Sequence, residues 1–176
     1  MPKGIRPTQN RVRKAIFDIL GDVRGLSFLE LFAGSGAVGF EALSRGASGV
    51  AFVEENRHAQ LAINSNIRAL KLENCLLMSR RVEETIPFLH KSGKKFDLIF
   101  MDAPYSKVEA SSKDADESLT KKTLQILGSY DILAPNGFLI VQHFKSDKLD
   151  KESAGMHLVK ESKYGDTLLS FYRRAS

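Results

Sequence analysis

The chain has 176 residues, 43% of them hydrophobic and 27% charged, with a formal net charge of +5 and a pI near 9.3. That size suits one domain with a sizeable core, and no apolar run approaches the roughly 18 residues of a membrane span. A single cysteine, Cys75, rules out an internal disulfide, the four histidines lack zinc-ligand spacing, and Met-Pro-Lys-Gly-Ile-Arg-Pro-Thr has no apolar signal core, so a cytoplasmic protein without a metal site is expected.

Residues 1–14 carry Lys3, Arg6, Arg11, Arg13 and Lys14 and no acid. A basic segment of this kind suits a polyanion, because neutralised phosphates release their counter-ions. Arg6, Arg11, Arg13 and Lys14 are therefore the candidate nucleic-acid contacts, against the plainer reading of a solvated helix face. Thr8 to Leu20 reads as a helix: Thr8 is placed to cap it, Val12, Ala15, Ile16, Ile19 and Leu20 recur at helical spacing, and Gly21 ends it.

A strand is expected over Ser27–Phe32 and a helix over Gly36–Arg45. Gly49–Glu54 reads as the second strand, and Asn56–Leu72 as a helix with Ala59, Leu61, Ala62, Ile67 and Leu70 as its apolar positions. Cys75–Ser79 is the third strand, Val82–Lys91 a short helix and Phe96–Asp102 the fourth strand. Residues 106–117 are polar and aperiodic, the pattern of a surface loop or of a lid over the site. Leu119–Leu133 reads as a helix, Pro135-Asn-Gly137 as a turn, and Gly137–His143 as the fifth strand. The runs His157–Glu161 and Thr167–Tyr172 have no room between them for a crossover helix and must pair antiparallel. The expected architecture is α/β: one Rossmann-like domain over 1–176 with a seven-stranded, mostly parallel sheet and a C-terminal antiparallel hairpin, as in class I methyltransferases.

Two stretches carry chemistry. Phe28-Leu-Glu-Leu-Phe-Ala-Gly-Ser-Gly-Ala-Val-Gly39 runs from an apolar strand through a glycine turn into a helix. Its Gly34-x-Gly36-x-x-Gly39 satisfies the dinucleotide fingerprint, with Glu54 lying 20 residues beyond Gly34. The match alone is weak, since such glycines can serve packing only. Glu30 within the strand, and the absence of added positive charge for a pyrophosphate, favour S-adenosylmethionine over a nicotinamide dinucleotide. Phe32, Ala33, Gly34, Ser35 and Gly36 would then let the backbone approach the methionine and ribose of the donor. Glu54, with Glu55 as the weaker alternative, would accept hydrogen bonds from the ribose hydroxyls.

The second stretch, Phe96-Asp-Leu-Ile-Phe-Met-Asp-Ala-Pro-Tyr105, ends an apolar strand in Asp102-Ala103-Pro104-Tyr105. An exocyclic amino group on a base is a poor nucleophile, because its lone pair is delocalised into the ring. A carboxylate and a main-chain carbonyl can hold that nitrogen facing a methyl group, and proline sets the direction of the carbonyl before it. An aromatic ring adds a stacking face worth about 1–3 kcal/mol. A helix cap and an ordinary turn would explain either stretch alone, but both fall at strand C-termini, where doubly wound sheets bind ligands.

These residues, in this order, resemble the RsmD family of bacterial 16S rRNA guanine-N2 methyltransferases. Arg6-Pro-Thr-Gln-Asn-Arg-Val-Arg-Lys-Ala-Ile-Phe-Asp-Ile-Leu20 looks like the family's opening signature, Leu29–Ala47 like its donor loop and helix, and Lys163-Tyr-Gly-Asp-Thr-Leu-Leu-Ser-Phe-Tyr-Arg173 like its ending. The resemblance implies S-adenosylmethionine as donor and the N2 of guanine 966 as acceptor, within the small ribosomal subunit or a late assembly intermediate. It places Asp102, Pro104 and Tyr105 on the catalytic motif, Glu30, Gly34, Gly36 and Glu54 on the donor site, and Arg6, Arg11 and Arg13 on an element facing RNA. Ala103 stands where the family motif usually has a first proline, with its carbonyl retained, and Glu30 where aspartate is common. The adenine contact after the third strand stays open between the Val82 backbone and Glu83. A monomer with no membrane partner is expected. The alternatives are an N-methyltransferase acting on DNA adenine or cytosine or on a protein glutamine amide, and an RNA-binding protein with a vestigial donor site.

Overall fold

The computed structural model describes residues 10–104 and 118–174. Five helices and eight strands follow one another along the described chain, alternating as far as β5: α1 (Asn10–Leu20), β1 (Ser27–Leu31), α2 (Ala37–Ser44), β2 (Gly49–Val53), α3 (Arg57–Ala69), β3 (Cys75–Met78), α4 (Val82–Lys91), β4 (Phe96–Met101), α5 (Leu119–Ser129), β5 (Leu133–Phe144), β6 (Glu152–Ser153), β7 (Met156–Tyr164) and β8 (Thr167–Arg174). The strands form one sheet in the order β3-β2-β1-β4-β5-β8-β7-β6. β1 to β5 pair in parallel, whereas β8 pairs antiparallel with both β5 and β7. The chain winds outward from β1 to β3 and then returns to lay β4 against the other side of β1. That reversal opens a crevice at the carboxyl ends of β1 and β4, where open α/β sheets receive ligands.

Strand alternation divides the core. Leu29, Leu31, Ile99, Met101 and Val141 face α4 and α5, where they meet Val82, Ile86, Leu89, Leu124 and Leu127. Phe28, Phe52, Leu98, Phe100 and Ile140 face the other layer, meeting Val12, Ile16 and Phe17 of α1, Val38 and Ala42 of α2 and Ile63 of α3. Both faces of the inner strands are covered, so these strands are apolar almost throughout.

Four local expectations change. The sheet has eight strands, since the two-residue β6 adds itself to β7 through Glu152↔His157 and Ser153↔Met156. Pro135-Asn-Gly137 is not a turn between elements but an irregularity inside β5: Phe96 pairs with Leu133, and the next partner, Leu98, pairs with Phe138. Gly137 is required there, because a Cβ would lie 2.7 Å from the Asp97 carbonyl. α5 stops at Ser129, four residues short of Leu133, which begins β5. On α3 the core-facing residues are Ala59 and Ile63, while Leu61 and Leu70 are each 61% exposed. The expected cap of α1, Thr8, lies outside the described residues. Among the described residues no helix is long and apolar enough to cross a membrane, and no group of His, Cys, Asp and Glu is arranged to hold a metal ion.

Candidate active site

The turn after β1 is built from left-handed backbone. Phe32 has φ 55, Gly34 φ 56 and Gly36 φ 74. A non-glycine residue such as Phe32 pays for that conformation. The turn is pinned by Ala33 N–H donating to the Val53 carbonyl at 3.0 Å and Gly36 N–H to the Ala33 carbonyl at 2.7 Å. Gly36 then caps α2 without a side-chain hydrogen bond.

Glu30 supplies that cap from below. Its carboxylate, 3% exposed, accepts from the N–H of Gly39 at 2.8 Å and of Val38 at 3.4 Å. A negative group at a helix N-terminus is favoured by the orphan N–H groups and the helix dipole. Burial opposes ionisation more strongly and, with smaller contributions from the charges of Asp102 and Glu54, pushes its pKa up to about 8. Gly39 is a packing glycine: a Cβ there would stand 2.5 Å from the Phe52 ring, 2.7 Å from Val50 and 2.8 Å from Glu30.

Glu54, one residue past β2, is 9% exposed and reaches across to the same turn. Its Oε2 accepts from Gly34 N–H at 2.7 Å and its Oε1 from Asn56 N–H at 2.7 Å. Gln60 Nε2 holds the Glu54 carbonyl at 2.8 Å, and Asn56 caps α3 through His58 and Ala59 N–H. A carboxylate offers about four acceptor positions, so the two oxygens keep acceptor capacity beside the glycine turn. Glu55 turns instead to Arg81, 3.9 Å away. Arg81 also pairs with Glu83 at 3.6 Å. The Val82 side chain is buried in the core, which leaves its backbone, at the start of α4, as the part able to face a ligand.

Asp102 follows β4 at the switch point, and its Oδ2 accepts from Gln142 Nε2 at 2.8 Å. Ala103 is half-buried and Pro104 exposed. Tyr105 and the loop 106–117 lie outside the described residues, as does Arg6. Gln142 carries no sequence motif. A single glutamine in a strand reads as a polar position, and only the β4–β5 pairing of Met101 with Val141 sets it beside Asp102. One strand residue further, buried His143 contacts the Asp147 carbonyl through Nδ1 at 2.9 Å and Ser170 Oγ through Nε2 at 2.8 Å. Ser118 Oγ, at the start of α5, donates to Asp147, three residues past the end of β5. Burial holds the His143 pKa below its usual value.

The basic candidates separate on α1. Arg11 and Lys14 are exposed. Arg13 is half-buried: its Nη2 donates to Asn10 Oδ1 at 2.9 Å and its Nε lies 3.8 Å from Glu41 of α2. Glu41 is shared with Arg45 at 2.8 Å, so Arg13 joins a contact between helices. Cys75 is a half-buried residue of β3 whose thiol pKa is raised by burial.

A switch-point crevice flanked by a glycine turn, an acid after β2 and an acid after β4, on a parallel sheet closed by an antiparallel hairpin, is the class I methyltransferase arrangement. The chain belongs to the RsmD family, whose family model, described as conserved hypothetical protein 95, matches residues 1–173. It is 29% identical over 172 residues to the ribosomal RNA small subunit methyltransferase D of Escherichia coli, covering 97% of this chain and 80% of that protein. Among solved structures it is similar to a conserved hypothetical protein of Streptococcus pyogenes, with TM-score 0.77 and 34% identity over 93% of this chain and 96% of the other. A hypothetical protein of Thermus thermophilus superimposes with TM-score 0.80 and 28% identity, over 98% and 91% of the two chains.

Proposed function

We propose that this protein methylates the exocyclic N2 of a guanine in small-subunit ribosomal RNA, with S-adenosylmethionine as donor. The observation that carries this reading is the placement of Asp102, held by Gln142, one strand away from the glycine turn that Glu54 braces. The small-subunit rRNA methyltransferase of Escherichia coli, similar along nearly the whole chain, supports RNA as the substrate class.

The residues present fit the donor. Glu54 offers acceptors for vicinal hydroxyls beside the glycine turn, whose Gly34 N–H it already holds. When bound, the donor supplies an electrophilic methyl group on a sulfonium, which departs as a neutral thioether. Asp102 and the carbonyl of Ala103 or Pro104 hold the amine hydrogens, and so turn the nitrogen lone pair toward the incoming methyl. As the N–C bond forms the nitrogen becomes cationic, and the Asp102 carboxylate stabilises that charge. The amine then gives up its proton to solvent, and no strong base is required.

The reading is tested with small subunits from cells lacking the protein, incubated with purified enzyme and labelled donor. Nuclease digestion and mass spectrometry should reveal N2-methylguanosine. Label on adenine, on cytosine or on protein would overturn the guanine assignment.

Two further outcomes are expected. Glu54→Ala should weaken donor binding by about 1–3 kcal/mol, the loss expected for hydrogen bonds to a charged group. Calorimetry with S-adenosylmethionine and with NAD measures this, and tight NAD binding without donor binding would contradict the cofactor assignment. Replacing Arg11 and Lys14 together should lower the slope of log K for RNA against log salt by roughly 0.7–0.9 per lost phosphate contact, with donor affinity unchanged. An unaltered slope would return both residues to a solvated helix face.

A further inference from the structure

Gln142 holds more than the Asp102 carboxylate. An ionised carboxylate offers only acceptors, so it dictates which end of the Gln142 amide faces it: Nε2 donates to Asp102 Oδ2 at 2.8 Å, and Oε1 is turned away. That Oε1 is buried and finds no hydrogen-bond partner among the described residues. Buried side-chain acceptors are seldom left unpaired, and one beside the candidate catalytic carboxylate is suited to a donor on the substrate. The orphan lies within one amide group of Asp102, on the strand that neighbours β4.

We propose that Gln142 selects guanine at this site by accepting a hydrogen bond from its N1–H while Asp102 takes the neighbouring N2 amino group. This assignment rests on the function proposed above. Guanine presents N1–H and N2–H2 side by side, two donors that match a carboxylate next to an amide carbonyl. Adenine sets its amino group beside a bare N1, and cytosine sets its amino group beside a bare N3, so either base would turn a lone pair toward Oε1. A site with a placed acceptor discriminates because an unmatched base leaves that acceptor buried and unpaired. The same contact keeps the amide oriented and hence keeps Asp102 aimed.

The test uses small subunits reconstituted around rRNA carrying either guanine or 2-aminopurine at the methylated position. 2-Aminopurine retains the 2-amino group but has a bare N1. Wild-type protein should favour guanine in kcat/KM by about 5- to 150-fold, the ratio equivalent to 1–3 kcal/mol for one buried unpaired group. Gln142→Leu should bring that ratio close to one while leaving donor affinity and melting temperature near wild type. Because intrinsic reactivity is common to both proteins, the comparison is between the two ratios. Should Gln142→Leu fold poorly, Gln142→Met, unbranched and close in volume, carries the same comparison. Equal use of both bases by the wild type, or an unchanged ratio in a folded variant, would overturn the role of Gln142 while leaving guanine methylation intact. A wild type that methylates neither RNA would instead remove the functional reading on which the assignment depends.

Discussion

Asp102→Ala is expected to reduce turnover on small subunits by on the order of 100- to 1,000-fold, the cost of removing one preorganised charge-stabilising group. Donor affinity should stay near wild type, because Glu54 and the glycine turn are braced through β2 and α3. The effect should fall on kcat, since the carboxylate meets a charge that is strongest in the transition state. Asp102→Asn separates charge from shape. It keeps a hydrogen-bonding group beside Gln142 but loses the negative charge, and should recover only a small part of the activity. Tyr105→Phe should keep most activity if the ring stacks on the base, and Tyr105→Ala should not. Single-turnover transfer of labelled methyl measures each variant, and near wild-type transfer by Asp102→Ala would move the catalytic centre elsewhere.

The second large effect concerns stability. Glu30 is buried with a pKa pushed up to about 8 from an ordinary 4.5, desolvation being the leading cause. Between those values the folded chain holds a proton that the unfolded chain has released. The free energy of unfolding should therefore fall as pH rises through the window from 4.5 to 8. Its contribution is full below the window and lost above it, with a limiting slope of about 1.4 kcal/mol per pH unit. Glu30→Gln should flatten this slope relative to wild type, at the cost of roughly 1 kcal/mol for the altered hydrogen bonds to Gly39 and Val38. Asp102 and Glu54, whose charges also act on Glu30, remain in both proteins, so the difference between the two curves isolates residue 30. Urea denaturation from pH 5 to 9 provides the comparison. Parallel curves would mean that Glu30 is already ionised under the turn at neutral pH.

The functional consequence of Glu30 follows from its position. It caps α2 and thereby holds the turn containing Phe32, Gly34 and Gly36, in which the left-handed conformation of Phe32 is costly. Both of its oxygens are aimed at the N–H groups of Val38 and Gly39, so it shapes the glycine turn through the backbone it holds.

Much of the architecture was legible along the chain because its signals are local. Apolar runs closed by Gly21, Gly46 and the Asn56 cap mark element ends through backbone conformation and capping, which depend on near neighbours. Val82–Lys91 is a helix with the boundaries its periodicity predicts, and β7 with β8 form the antiparallel hairpin expected where no crossover helix fits between two runs. The glycine turn, Glu54 and Asp102 were likewise visible, since each sits at the end of an apolar strand where a parallel sheet exposes its carboxyl edge. What pairing alone could decide was hidden. The start of β5 at Leu133 depends on its partner Phe96 and on an irregularity that only the neighbouring strand reveals. Ile63 reaches the core of α3 while Leu61 does not, because the side on which the sheet lies sets the buried face. Arg13 became a bridge to Glu41 only when α1 packed beside α2. Gln142 met Asp102 across 40 residues of sequence because β4 and β5 share a ladder. Strand ends and turns are written in short-range conformational preference. The partners of a buried polar group are chosen by which strands lie side by side, and that depends on the whole sheet.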